Sequence, residues 1–302
     1  MTTFERWLRA GVTVIAALWA SSGLAAPVQT ILPGTAIPKW VEPMPRLVGQ
    51  PAGTIEAHLG FVPDTPATPA QLTLRMCEVK ANILPTGTLA PGVKPETWAW
   101  AYLAGPCPDY GEDPPPAPVN STLGPVIVAL RGVPTEVTYV NELGDTSTNV
   151  LAYTTSTDQT LHWADPLGLG CMMKAAMGDW GAGVMYPPRS DACAFNYSGP
   201  IPAVPHLHGG EIPAQIDGSP DSWFTSAATP GFGPKYYTKG GGQSAGQAVY
   251  TYPNVQEAAP LWFHDHTLGA TRLNVYAGMA GGYYLIDPEQ DLAPNMLPVT
   301  EV

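Results

Sequence analysis

Short runs of alternating hydrophobic and polar residues recur along the chain, and this period-two pattern predicts β-strands. Glycine- and proline-containing turns separate the runs, and no fixed-period internal repeat is present. Short strands joined by many turns are typical of an antiparallel β-sandwich, so we expect an all-β fold. The predicted strands lie at 71–79, 97–103, 125–130, 136–140, 204–208, 247–252, 261–266 and 282–286.

The composition supports this all-β interpretation. The 302 residues include 32 glycines and 35 prolines, which interrupt long helices almost everywhere. A helical bundle, a coiled coil and a Rossmann-type α/β protein are therefore disfavoured. The net charge of −12 argues against a nucleic-acid partner and against binding to anionic membrane surfaces.

The first 25 residues have the three parts of a secretory signal peptide. Arg6 and Arg9 form a basic segment, residues 10–20 are apolar, and small residues precede a cleavage site after Ala25. The apolar run is too short to span a bilayer comfortably. We therefore expect a secreted or periplasmic protein with no membrane association once the signal is removed.

Composition shifts divide the remainder of the chain into segments. Residues 26–70 are rich in proline and predict an extended arm or tether. Residues 71–290 carry the strand patterns and are expected to form one domain. Within it, residues of about 146–203 have little periodicity and predict a long loop insertion. Residues 291–302 are expected to begin a linker to a second domain.

Four cysteines remain after the signal, and an even number in an oxidising compartment predicts two disulfides. They are Cys77, Cys107, Cys171 and Cys193, and none belongs to a CxxC motif. Four cysteines allow three pairings, which the sequence leaves open. Loop length favours Cys77 with Cys107 and Cys171 with Cys193, because these pairs close the shortest loops.

Four of the six histidines form two HxH pairs, His206 with His208 and His264 with His266. Residues two apart in a strand project from the same face, so each pair directs two imidazoles towards one point. This arrangement favours a metal site over ordinary hydrogen-bonded histidines at strand ends. The other two histidines have no such partner and fit surface or capping roles: His58 and His162.

The pair spacing alone does not select the metal. Imidazole ligands suit zinc, copper, iron and nickel. Three histidines and a bound water could hold a catalytic zinc ion, so a zinc-dependent enzyme is one hypothesis.

The residues around both histidine pairs favour copper, because they resemble those of a known family of copper proteins. Residues 206–225 (HLHGGEIPAQIDGSPDSWFT), 261–288 (LWFHDHTLGATRLNVYAGMAGGYYLIDP) and 122–143 resemble the first cupredoxin domain of multicopper oxidases. The similarity is to the branch of bacterial spore-coat laccases and bilirubin oxidases, and it extends over about 71–145 and 204–298. It implies a Greek-key, cupredoxin-like β-sandwich, and it leaves the insertion unexplained.

This family oxidises substrates by single electrons and reduces dioxygen to water at a trinuclear copper cluster. The resemblance implies that His206 binds the type 2 copper. It implies that His208 and His264 bind one copper of the type 3 pair and that His266 binds the other. Asp217 matches a carboxylate beside the cluster, where it would deliver protons; a simple Asp-Gly turn is the alternative.

The same resemblance implies scaffold roles beside the second pair. Trp262 and Phe263 are expected to pack beneath the strand that carries the histidines. Gly278, Gly281 and Gly282 are expected to permit close backbone approach or turns.

The family's remaining ligand motifs, HxxHxH and HCHxxxH, are absent from these 302 residues. A blue-copper centre needs a cysteine with two histidines, and no cysteine here lies near a histidine. The chain is therefore expected to be the N-terminal part of a laccase-like oxidase, inactive alone, with type 2 and type 3 sites that are incomplete. Further cupredoxin domains, in cis or on a partner chain, would complete them. The reducing substrate is open, and the alternative is a non-catalytic secreted copper-binding module or truncated remnant.

Overall fold

A computed structural model describes eight ranges of the chain. The predictions that lie outside these ranges are the signal peptide, most of the proline-rich arm and of the insertion, the 291–302 linker, His58, His162, Cys171 and Cys193. The described residues are 33–41, 70–85, 87–91, 96–119, 122–148, 164–167, 197–227 and 231–287.

Eight strands form within the described residues, one at each position where the alternating pattern predicts one. Most bounds differ from the prediction by one or two residues. The strands are β1 (Ala70–Asn82), β2 (Glu96–Leu103), β3 (Ile127–Leu130), β4 (Thr135–Asn141), β5 (Pro205–His208), β6 (Gln247–Tyr252), β7 (Ala259–Asp265) and β8 (Ala280–Ile286).

The strands form two four-stranded sheets, in the orders β2-β1-β4-β6 and β3-β8-β7-β5. Four of the six pairings between adjacent strands are antiparallel, as expected, whereas β1 pairs with β4 and β3 pairs with β8 in parallel. These partners are far apart in sequence, so the chain returns to pair in the same direction after a long crossover. Such long-range pairing leaves no local signature in the sequence.

The two sheets pack face to face around a core rich in aromatic side chains. The ring centroids of Tyr102 in β2 and Phe263 in β7 lie 5.1 Å apart, and those of Tyr252 in β6 and Tyr283 in β8 lie 5.9 Å apart. These contacts join one sheet to the other, and all four side chains are fully buried. The all-β sandwich predicted from the sequence is confirmed.

Among the described residues, the α-helix α1 (Thr271–Ala277) lies between β7 and β8 and was not predicted. Seven residues give fewer than two full repeats of a helical pattern, which explains why periodicity does not reveal it. Gly278 ends the helix with a φ of 126°, and its N–H donates to the carbonyls of Asn274 and Val275. In the described part of the chain, no helix is long and apolar enough to cross a membrane.

A disulfide and a pair of main-chain hydrogen bonds hold the loops around this sandwich. Cys77 in β1 and Cys107 form a disulfide with a Cα–Cα distance of 5.3 Å, which is the first pair favoured by loop length. The described ends of the insertion are joined by main-chain hydrogen bonds from Thr146 to Gly199 and from Ile201 to Gly144, each 3.0 Å long. The insertion therefore leaves and re-enters the sandwich at one place.

Candidate metal centre

The two histidine pairs lie on adjacent antiparallel strands. His206 of β5 is directly opposite His264 of β7, and His208 is opposite Trp262. Because alternate residues of a strand share a face, the pairs project from the same side of the sheet. His266 follows the end of β7, and its N–H donates to the carbonyl of Val204 at 2.8 Å, which holds it beside β5.

The structure brings all four predicted histidines together. The ring of His206 stacks on that of His266 with centroids 4.7 Å apart, and it lies 5.4 Å from His264 and 5.5 Å from His208. One ring nitrogen from each of His206, His208 and His264 lies within 4.8 Å of the others. Three imidazole nitrogens this close can serve a transition metal ion.

Main-chain carbonyls orient three of the four rings. The Nδ1 atom of His206 lies 2.5 Å from the carbonyl oxygen of Asp217, and that of His266 lies 3.1 Å from the carbonyl oxygen of Gly218. The Nδ1 atom of His264 lies 2.7 Å from the carbonyl oxygen of Asp265. A carbonyl only accepts, so each Nδ1 carries the proton and each Nε2 keeps a free lone pair for a metal.

His208 is oriented differently. Its Nδ1 lies 3.1 Å from Nε2 of His264, so the two rings face each other through nitrogen atoms. In the metal-free state, the Nδ1–H of His208 donates to Nε2 of His264, because the proton of His264 is on Nδ1. The separation also fits two nitrogens that bind one ion at about 2.0–2.1 Å each.

Burial favours the neutral form of the His264 imidazole. Loss of solvent lowers the pKa of His264 to about 4, and the imidazoles of His206, His266 and His208 contribute in the same direction, against the hydrogen bond to Asp265. His264 is therefore neutral at neutral pH, which is the form that binds metals.

Asp217 lies at the turn that the sequence predicted. It follows the 3₁₀ helix Ala214–Ile216, and Gly218 has a φ of 71°. The Asp217 side chain is 47% exposed, and its Oδ1 lies 3.3 Å from Nδ1 of His206. Both predicted roles are compatible with this position: the residue forms the turn, and its carboxylate lies beside the histidines with access to solvent.

The two aromatic residues before His264 lie on opposite faces of β7. Phe263 is fully buried in the core, as expected, with its ring against Gly281, where an added Cβ would lie 2.3 Å from the ring. Trp262 does not pack beneath the strand: it is 41% exposed, and its ring lies 4.2 Å from that of His264. Strand alternation explains the correction, because Trp262 and His264 are two residues apart.

Sequence reasoning missed Asp265, the residue between the second pair of histidines. Its side chain points away from the imidazoles into the core and is fully buried. Burial raises the pKa of Asp265 to about 6, although hydrogen bonds from Val204, Thr267 and Asn274 oppose the rise. The signal was available: alternation in HDH places a charged side chain on the core face of a strand.

No protein-family profile matches this chain. Among curated proteins, multicopper oxidase LPR1 homolog 1 from Oryza sativa subsp. japonica is 45% identical over 100 residues, which are 33% of this chain and 15% of that protein. LPR1 homolog 5 from the same plant is 31% identical over 196 residues, 62% of this chain and 24% of its own length. A laccase of Bacillus subtilis (strain 168) is 43% identical over 90 residues, 30% of this chain and 16% of that enzyme. The resemblance to multicopper oxidases is confirmed for part of this chain.

The multicopper oxidase-like region spans less than a quarter of the length of these relatives. The named relatives are copper oxidoreductases, and the described residues here supply a histidine cluster of suitable donor type. A second group, formed by Cys77, Cys107 and Glu142, offers no thiolate ligand because its cysteines are joined in a disulfide.

Proposed function

We propose that this chain supplies half of the trinuclear-cluster histidines of a laccase-like multicopper oxidase. The observation that carries the proposal is the meeting of the two HxH pairs on adjacent strands, with His206 directly opposite His264. The sequence similarity to laccases and related oxidases supports copper as the metal.

The proposed ligand roles are those that the resemblance to multicopper oxidases implies, and the orientation of the rings is compatible with them. His208 and His264, whose facing nitrogens are 3.1 Å apart, bind one copper of the type 3 pair. His206 binds the type 2 copper, and His266 binds the second type 3 copper. The carbonyls of two consecutive residues, Asp217 and Gly218, hold the Nδ1 atoms of His206 and His266, which leaves both Nε2 atoms for separate ions.

Bound copper supplies the one-electron chemistry that couples oxidation of a reducing substrate to reduction of dioxygen to water. The chain's own residues orient the ligands and exchange protons. The half-exposed Asp217 carboxylate, 3.3 Å from the His206 ring, connects the site with solvent and delivers protons there. The identity of the reducing substrate is outside this proposal.

Catalysis requires ligands that these 302 residues do not contain, namely the HxxHxH and HCHxxxH motifs. Further cupredoxin domains, in cis or on a partner chain, provide them, and the single chain is inactive as an oxidase. The proposal keeps the domain boundaries of the sequence analysis, with a 71–290 cupredoxin-like domain that follows the 26–70 arm and precedes a linker. A signal peptide at 1–25 directs the protein to the periplasm or the exterior.

The proposal is tested by copper binding to the full chain. The purified protein is stripped with a chelator, loaded with Cu²⁺, dialysed and analysed for bound metal, alongside His208→Ala and His264→Ala. We expect the wild-type protein to retain copper and each variant to lose most of it. His58→Ala, which removes a histidine without an HxH partner, is the matched control and retains copper.

Unchanged copper content in both cluster variants would refute the site assignment. Zinc retained in preference to copper, together with activity of the chain alone, would favour a zinc enzyme instead. Oxidase activity appears only when domains with the missing ligands are added; copper retention without such rescue would indicate a non-catalytic module.

A further inference from the structure

Asp265 contacts the core while its two neighbours in sequence face the metal centre. We propose that Asp265 is a positioning residue whose buried carboxylate fixes the second histidine pair against the first. The inference rests on the proposed copper-binding function and assigns to it a residue that does not touch the metal.

Four hydrogen bonds converge on the Asp265 carboxylate. Oδ2 accepts from the N–H of Val204 and from the hydroxyl of Thr267, both at 2.9 Å. Oδ1 accepts from the N–H of Thr267 at 3.0 Å and from Nδ2 of Asn274 at 2.9 Å. Every partner is a donor, so only a group with two acceptor oxygens satisfies all four.

The contact with Val204 joins the two strands that carry the ligands. Val204 immediately precedes β5 and is two residues before His206. Its N–H is held by the Asp265 side chain, and its carbonyl accepts from the N–H of His266 at 2.8 Å. Both main-chain polar groups of Val204 are therefore bound to the HDH segment, which sets the position of the first pair relative to the second.

The contact with Asn274 joins the same carboxylate to helix α1. The fully buried Asn274 also donates from Nδ2 to the carbonyl of Pro202 at 3.3 Å, and its own carbonyl accepts from the N–H of Met279 at 3.0 Å. Met279 in turn accepts from the N–H of Asp265 at 3.1 Å. The Asp265 side chain thus joins the end of β7 to the approach to β5 and to helix α1, while its main-chain N–H joins the same residue to the turn into β8.

A substitution that keeps the shape of the Asp265 side chain distinguishes a role in positioning the histidines from a role in filling the core. Asp265→Asn keeps the shape but turns one acceptor oxygen into an NH₂ group that faces donors, so at least one main-chain N–H loses its acceptor. The opposite exchange, Asn254→Asp, is the matched control. Asn254, in the segment between β6 and β7, is also buried and donates to the carbonyl of Val133 at 2.7 Å and to Oγ1 of Thr135 at 2.9 Å.

The first measurement uses the metal-free full chain. With ¹⁵N-labelled histidine, long-range proton–nitrogen spectra report which ring nitrogen of each histidine carries the proton. We expect Asp265→Asn to shift or broaden the ring signals of His206, His264 and His266, and Asn254→Asp to leave them unchanged. If Asp265→Asn does not fold, Thr267→Val removes one donor to the carboxylate and shows the same change at smaller amplitude.

The second measurement is Cu²⁺ affinity in competition with a chelator of known strength. Loss of a residue that supports metal ligands typically weakens binding by about 10–100-fold, and we expect this of Asp265→Asn. The control retains the wild-type affinity. Wild-type ring signals and affinity in Asp265→Asn, or equal losses in Asn254→Asp, would overturn the proposal. If the wild-type chain itself bound no Cu²⁺, the proposed function would fail, whereas the metal-free spectra would still decide whether Asp265 positions the rings.

Discussion

The ring of His206 is held by the main chain of Asp217: the distance from Nδ1 to the carbonyl oxygen is 2.5 Å, against 3.3 Å to the nearer carboxylate oxygen. The neighbouring carbonyl, that of Gly218, holds His266 in the same way at 3.1 Å. One turn of the backbone therefore orients a ligand from each of the two pairs. The Asp217 carboxylate is therefore not needed to orient the ring of His206.

Asp217→Asn is expected to leave Cu²⁺ affinity of the chain within about twofold of wild type, because the carbonyl that orients His206 remains. Competition titration with a chelator measures this. The same variant in a completed oxidase is expected to slow proton-dependent turnover, because the amide cannot carry a proton. A tenfold fall in affinity, about 1.4 kcal/mol, would instead assign the carboxylate to ligand support.

Gly218→Ala is expected to damage both the fold and the site. Gly218 has a φ of 71°, and an added Cβ would lie 2.0 Å from the carbonyl oxygen of Pro205. The left-handed backbone alone costs about 1–2 kcal/mol for alanine, and the contact with the main chain of β5 adds to it. Thermal unfolding and copper content measure the two effects. Gly240→Ala is the control, since Gly240 also has a positive φ, 85°, but has open space around it.

Trp262→Phe is expected to remove most of the tryptophan quenching that accompanies Cu²⁺ binding. The Trp262 ring lies 4.2 Å from that of His264 and 5.2 Å from that of His208, so a nearby Cu²⁺ ion quenches its emission. A fluorescence titration should show a smaller amplitude with little change in affinity. Trp98→Phe, in the other sheet, keeps the quenching. Equal loss of amplitude in both variants would contradict the proposed metal position.

The buried tyrosines predict instability at high pH. Burial raises the pKa of Tyr283 to about 12, and it also raises the pKa values of Tyr102, Tyr139 and Tyr252 well above their usual range. An unfolded chain ionises its tyrosines near pH 10, while the native core keeps these protons. The free energy of unfolding is therefore unaffected by these groups below about pH 10 and falls as the pH rises above it.

Absorbance at 295 nm follows this ionisation, and circular dichroism follows unfolding. We expect the core tyrosines to ionise in one cooperative step that coincides with unfolding. Tyr276→Phe, which removes an exposed tyrosine, should leave the amplitude of that step unchanged. Gradual ionisation of all tyrosines before unfolding would contradict the expectation that the core tyrosines stay protonated until the protein unfolds.

The sequence predicted the strands and the identity of the candidate ligands because both depend on a period of two. It could not predict which strands are neighbours. The HxH pattern places His264 and His266 on one face, but the register that sets His206 opposite His264 comes from long-range pairing. Asp265 was missed for a related reason, since its partners Val204 and Asn274 belong to separate elements. Helix α1 is too short for its pattern to be recognised.

The parallel pairing of β3 with β8 has a consequence for the order in which the protein can form. Residues 127–130 pair with residues 283–286, and the remaining strands of that sheet, β5 and β7, also come from the later part of the chain. During synthesis, the first sheet can begin to assemble from β1, β2 and β4 while the second has only one strand. The layer that carries all four histidines is thus completed last, and a metal ion meets its ligands only after nearly all of the sandwich has been made.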